Sequence, residues 1–180
     1  MKVTGTPLPG VWIIEPDLHE DDRGTFSTHF SALRFGELGL RTSFRQSCIS
    51  TNRSVGTLRG LHWQSAPNAE VKLVRCVRGA IFDVALDLRR DSPTFRRWHA
   101  VELSADSHRA LYIPEGCAHG YQTLERDSCV AYEISADYVA AAARGVRWND
   151  PTFGIDWPVV ATRRISERDA GFADFDEGVL

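Results

Sequence analysis

The sequence predicts an all-β fold, a sandwich or barrel of short antiparallel strands. Three observations carry this reading. Short stretches rich in β-branched and aromatic residues run through the chain. Turn-forming clusters separate them at close intervals. Helical signals are confined to two brief segments.

Taken in order, strands are predicted at 11–15, 25–30, 45–52, 57–64, 71–77, 80–88, 98–103, 110–113, 119–123 and 129–134. The punctuation between them includes Asp22-Arg23-Gly24, Ser54-Val55-Gly56, Arg78-Gly79, Asp91-Ser92-Pro93 and Pro114-Glu115-Gly116. The stretches 71–77 and 80–88 read as a hairpin turning at Arg78-Gly79, and both are strongly apolar, as the interior of two packed sheets requires. Alternation sets Lys72, Val74 and Cys76 on one face of the first. A lysine among apolar residues either snorkels at an edge or points its charge into a cavity. A helix is expected over 31–38, capped by Ser31 and closed by Gly39. A second is expected over 166–170, with Ser166 in the capping position and Asp169 three residues on. The Gly-, Pro- and Trp-rich stretch 145–157 reads as an ordered loop.

Composition bounds the function. A chain of 180 residues that is 43% hydrophobic supports one compact domain, 1–180, with a packed core. The net charge of −3 gives no basic excess, so nucleic acid is not expected as a partner. No stretch reaches the roughly 18 apolar residues of a membrane span, and the N-terminal segment lacks a signal-peptide pattern. The four cysteines, Cys48, Cys76, Cys117 and Cys129, form no CxxC pair. They are expected as reduced thiols in a cytoplasmic protein.

Three segments carry candidate chemistry. Gly56–Gln64 sets Arg59 and His62 in a strand-like run. Pro114–Tyr121 turns tightly and then carries His119 into a strand, as in the second segment of cupin jelly rolls. Ser166-Glu167-Arg168-Asp169 is explained by a polar helix start alone. Taken singly, His62 reads more readily as a satisfied structural residue than as a functional one, and His119 reads as either. Strict alternation would also put Arg59 and His62 on opposite strand faces. Both reach one cavity only if the strand is irregular, and Gly60 is the expected site of a bulge.

Together, 56–64, 72–88, 103–124, 144–158 and 165–169 resemble the dTDP-4-dehydrorhamnose 3,5-epimerase family in order and spacing. The runs Lys72-Leu73-Val74-Arg75-Cys76-Val77-Arg78-Gly79 and Arg144-Gly145-Val146-Arg147-Trp148-Asn149-Asp150-Pro151 are the most specific. The resemblance implies a jelly-roll (double-stranded β-helix, cupin-like) sandwich with a few short helices. It implies a homodimer, a dTDP-linked 4-keto-6-deoxyhexose substrate and inversion beside the ketone, with no metal and no cofactor.

A hydrogen beside a ketone is acidic because its anion delocalises onto oxygen. Inversion then needs a base on one face and a proton donor on the other, with positive charge at the oxyanion. The resemblance assigns His62 as base, Asp169 as its orienting partner, Tyr132 as the opposite-face donor and Lys72 as the oxyanion partner. It assigns Arg59 and Arg23 to the diphosphate, Phe26 to the nucleotide base and Gln46 to a polar nucleotide contact. His119 and Tyr138 match further pocket positions. Arg23 and Phe26 lie in a segment that in the family often reaches the partner subunit's site. Thr28, Cys48 and Glu133 depart from the commonest family residues, and the first two bear on nucleotide recognition.

Other readings remain open at this point. A single-centre epimerase would share the same base and acid. A non-catalytic sugar-binding jelly roll would lose His62 or Asp169, and both are present. A metal-dependent cupin would carry a His-x-His pair, whereas His62 is followed by Trp63-Gln64. A ketoisomerase would carry different motif blocks.

Overall fold

The computed structural model describes residues 1–180, the side chain of Val179 excepted. Thirteen strands lie among the described residues. They are β1 (Lys2–Gly5), β2 (Trp12–Glu15), β3 (Leu18–Asp21), β4 (Gly24–Ser27), β5 (Gln46–Asn52), β6 (Leu58–Gln64) and β7 (Lys72–Arg78), followed by β8 (Ala80–Asp87), β9 (Trp98–Ser104), β10 (Ala110–Ile113), β11 (Cys117–Thr123), β12 (Ser128–Ile134) and β13 (Ala143–Gly145). Helix α1 (Ala32–Glu37) follows β4, α2 (Glu167–Ala170) follows β13, and a 3-10 turn covers Glu177–Val179.

Two antiparallel sheets form a sandwich. One has the order β1-β2-β10-β7-β12-β5, the other β13-β6-β11-β8-β9, and β3-β4 is a separate hairpin. Within the sandwich, β5 pairs with β12, β6 with β11, β7 with β10 and β8 with β9. These nested pairs describe one long antiparallel ribbon rolled on itself. That is a jelly roll, as expected.

The topology corrects one expectation. The stretches around Arg78-Gly79 do not form a hairpin: β7 and β8 lie in different sheets. Gly79, at φ +72, takes the chain across, and a Cβ there would stand 2.5 Å from Ser128 Oγ. The two strands are apolar because their inner faces meet across the sandwich. Val74 and Cys76 of β7 join Ile81 and Ala85 of β8 in the central cluster.

Both sheets are also covered outside. Val84, Leu86 and Ala118 pack under Val146, Phe153 and Trp157 of the 145–157 loop, so that loop is part of the core. Leu73 and Tyr112 pack under Phe35 of α1 on the other side. Double coverage explains why β8 and β11 are buried along nearly their whole length, and why β8 reads as a nearly continuous apolar run.

Both helices start where expected. Ser31 accepts from the Arg34 N–H and Ser166 from the Asp169 N–H, and Gly39, at φ +70, follows the first helix. Strands β1, β3 and β13 were not legible in the sequence. They are short, and β3 and β4 are largely exposed, with no apolar alternation to mark them.

Candidate active site

A cavity of about 550 Å³ opens between the sheets, lined by side chains of β5, β6, β7, β11 and β12 and by the start of α2. Its geometry begins with an irregularity in β6. His62 pairs with His119 and Arg59 with Tyr121, so three steps along β6 match two along β11. The extra residue is a bulge at Gly60-Leu61, where the peptide bond is cis. Gly60 has φ +115, and a Cβ on it would meet Gly120 Cα at 2.6 Å. The bulge brings Arg59 and His62 to one cavity wall, as the sequence required.

It also frees a backbone donor. The Gly60 N–H donates to Asp169 Oδ2 at 3.1 Å, while Asp169 Oδ1 lies 2.8 Å from His62 Nε2. Asp169 reaches this point because the C-terminal segment is tied to the start of β6. Leu58 N–H donates to the Arg164 carbonyl and Arg164 N–H to that of Gly56, each at 2.8 Å. Burial is the largest single influence on the Asp169 carboxyl and pushes it up. His62, Gly60 and Ser166 outweigh it and hold the carboxyl below its ordinary value. A carboxylate only accepts, so His62 Nε2 carries the hydrogen and Nδ1 is the free basic nitrogen. The imidazole is partly exposed at the cavity, with the Phe172 ring edge-on at 5.9 Å between centroids.

On β7, the side chain of Lys72 is buried and aimed into the cavity, as alternation indicated. Its ammonium stands 3.2 Å from the His62 carbonyl and 3.0 Å from Glu70 Oε1. Glu70 also accepts from Gln64 Nε2 at 3.0 Å. This pairing offsets the cost of burying the cation.

On β12, Tyr132 faces the same cavity. Its ring lies 5.9 Å from that of His119, edge to face. Burial, then Tyr121 and Asp83, hold its phenol well above the ordinary value, and Arg59 pulls the other way. The phenol therefore keeps its proton at neutral pH. His119 is buried, with Nε2 at 2.8 Å from Asp83 Oδ1, a second histidine–carboxylate pair on the cavity wall. Arg59 Nε donates to Asn52 Oδ1 at 2.9 Å. Gln46 lines the cavity and donates to the Ala136 carbonyl at 2.6 Å, and Tyr138 stands exposed at the rim.

Arg23 and Phe26 do not join this group. They sit on the β3-β4 hairpin, away from the cavity of their own chain. Phe26 is 68% exposed and Arg23 forks onto its neighbour Asp21. Several cavity residues were missed in the sequence: Glu70, Arg168, Tyr121, and the supports Asp83 and Phe172. Asp83 carried a signal, since a carboxylate inside the apolar run Ile81–Leu86 calls for a buried partner. Phe172 carried none. Among the described residues, no group of three or more His, Cys, Asp or Glu side chains is placed to hold a metal ion.

A jelly roll whose cavity sets a carboxylate-supported histidine, a buried lysine and a tyrosine together is a cupin-like protein carrying side chains suited to acid–base chemistry. The family described as dTDP-4-dehydrorhamnose 3,5-epimerase matches residues 5–177, and the chain belongs to it. The Salmonella typhimurium dTDP-4-dehydrorhamnose 3,5-epimerase is 40% identical over 181 residues, covering 100% of this chain and 98% of the relative. The solved Legionella pneumophila dTDP-6-deoxy-D-glucose-3,5-epimerase, in complex with dTDP-4-keto-L-rhamnose, superposes with a TM-score of 0.94. It is 36% identical and covers 99% of this chain and 96% of its own. A 3'-monoepimerase from Streptomyces bikiniensis, in complex with dTDP-quinovose, matches with a TM-score of 0.88 at 32% identity, covering 94% of this chain and 85% of its own.

Proposed function

We propose that the protein epimerises a dTDP-linked 4-keto-6-deoxyhexose at C3 and C5, as in dTDP-L-rhamnose synthesis. The observation that carries this reading is the His62–Asp169 pair at 2.8 Å on a cavity that also holds Tyr132 and Lys72. His62 Nδ1 removes the proton beside the ketone. Asp169 holds the tautomer and stabilises the imidazolium. The enolate oxygen meets the Lys72 ammonium. Tyr132 gives a proton to the opposite face, and the centre is inverted. Arg59 and Gln46 take the nucleotide side of the substrate, with His119 and Tyr138 at the sugar.

The reading includes a homodimer. Arg23 and Phe26 lie on a hairpin that leaves them outside their own cavity, and Phe26 is mostly exposed. In a dimer this hairpin reaches the partner's site, where Phe26 stacks on the base and Arg23 meets the diphosphate. Arg23→Ala then raises KM, and mixing it with a His62→Ala chain restores part of the activity through hybrid sites. The reading also has residues 1–180 working as one catalytic unit in the cytoplasm, in keeping with four free cysteines.

The test is incubation with dTDP-4-keto-6-deoxyglucose in deuterated water, followed by NMR. Deuterium at C3 and C5 with inversion is expected. Deuterium at one centre alone would establish a single-centre epimerase. That second reading is supported by the likeness to the Streptomyces 3'-monoepimerase. No exchange at either centre would sink both.

A further inference from the structure

Tyr121 is buried and lines the cavity. A phenol placed in an apolar interior requires a partner. Tyr121 has several. Its Oη lies 2.9 Å from Ser50 Oγ and 3.2 Å from Asn52 Oδ1. The Asn52 amide is oriented without ambiguity, because its Nδ2 donates to the Ser50 and Ser128 carbonyls. Oδ1 therefore faces Tyr121 and Arg59, whose Nε donates to it at 2.9 Å. Asn52 Oδ1 only accepts, so Tyr121 gives it its single hydrogen and Ser50 is the donor to Tyr121. The Tyr121 and Tyr132 rings stand 6.5 Å apart between centroids, and both line the cavity. Ser50 lines it too, within reach of water.

This arrangement answers a need that the epimerisation creates. A tyrosine that has given its proton away inside the protein is a buried phenolate, and burial opposes that charge. It must be settled and reprotonated before another turnover. We propose that Tyr121 is the positioning residue for Tyr132, holding its phenol as a donor and returning a proton to it from Ser50 after each delivery. The proposal rests on Tyr132 being the acid of the proposed epimerisation.

The step balances. The Tyr132 O–H bond breaks as the new C–H bond forms, leaving a phenolate. Tyr121 turns its hydrogen from Asn52 to that oxygen and transfers it. Ser50 gives its hydroxyl proton to Tyr121 and recovers one from water, and the hydroxide left is neutralised by the proton that His62 took from the sugar and releases to solvent. Each hydroxyl loses one proton and gains one, so the line is reset.

Tyr121→Phe tests this, since it deletes one oxygen and keeps the ring. The expected result is base-side deuterium exchange and KM near wild type, with inversion slowed about 10- to 100-fold, the usual effect of removing a hydrogen bond to a charged group. Ser50→Ala should shift the ratio of exchange to inversion in the same direction. A purely structural role would lower exchange and inversion together, and that outcome overturns the proposal, as does a wild-type ratio in Tyr121→Phe. Tyr132→Phe, measured in parallel, separates the two ideas. If it abolishes inversion while Tyr121→Phe is silent, only the Tyr121 role falls. If Tyr132→Phe inverts normally, the assignment of Tyr132 falls and the Tyr121 role with it.

Discussion

Asp169 spans His62 and Gly60 with its two oxygens, 2.8 Å from the imidazole Nε2 and 3.1 Å from the backbone N–H. One carboxylate thus does two jobs. It satisfies the donor freed by the β6 bulge, and it orients the ring of the residue two positions further on. The bulge that turns Arg59 toward the cavity and the group that prepares His62 are therefore one structural unit.

Replacing His62 by Ala removes the basic nitrogen and should lower the inversion rate by about 10²- to 10⁴-fold. The side chain is partly exposed at the cavity, so the fold should survive. Initial rates together with a melting curve check this. Inversion at the wild-type rate in a folded variant would end the role of His62.

Asp169→Asn keeps the shape and can still accept from Gly60. Its amide can also present a donor to Nε2, which favours the tautomer with hydrogen on Nδ1. The expected outcome is a large fall in kcat with little change in KM. An unchanged kcat would leave Asp169 a helix-start residue.

Gly145 on β13 lies against the Phe172 ring so closely that a Cβ would overlap it. Gly145→Ala should push Phe172 off its edge-on contact with His62. Activity should fall more than melting temperature does, and Phe172→Leu alone, which removes the ring, should lower it likewise. Wild-type activity in both folded variants would show that the contact is immaterial.

Asp87 predicts acid behaviour far from the site. Burial, the largest single influence, pushes its carboxyl up. Arg89, Ser92 and Thr94 together outweigh it and bring the carboxyl from 3.8 down to about 2. A folded-state value below the unfolded one contributes stability that is present above pH ~3.8 and lost as pH falls through ~2, here about 2 kcal/mol. Denaturant midpoints measured across that range should fall in the wild type. In Asp87→Asn they should start lower and fall less. Parallel curves for the two proteins would contradict the assignment.

How much of this was legible follows from where the information lies. The short alternating strands, the Ser31 and Ser166 caps and the need for a break at Gly60 are local, and the residues declare them. Lys72 on an apolar face was visible for the same reason, and Asp83 could have been. The hairpin read at Arg78-Gly79 was not there, because a glycine turn between two apolar strands fits a crossing between sheets as well as a pairing within one. Only the partners contributed by β10, β12, β9 and β11 decide between them. Glu70 and Phe172 became site residues solely by where distant segments landed.

The sequence by itself determined the fold class and the family, since motif blocks and strand patterning are local, and through the family resemblance it nominated His62, Tyr132 and Lys72. The tertiary structure alone decided which of them share a cavity. Arg164 ties the C-terminal segment to the start of β6, so Asp169 meets a histidine 107 residues away, while Arg23 and Phe26 are held apart on their hairpin. The physical reason is that backbone pairing and side-chain burial between distant segments set positions in space, and neither is written in any local pattern.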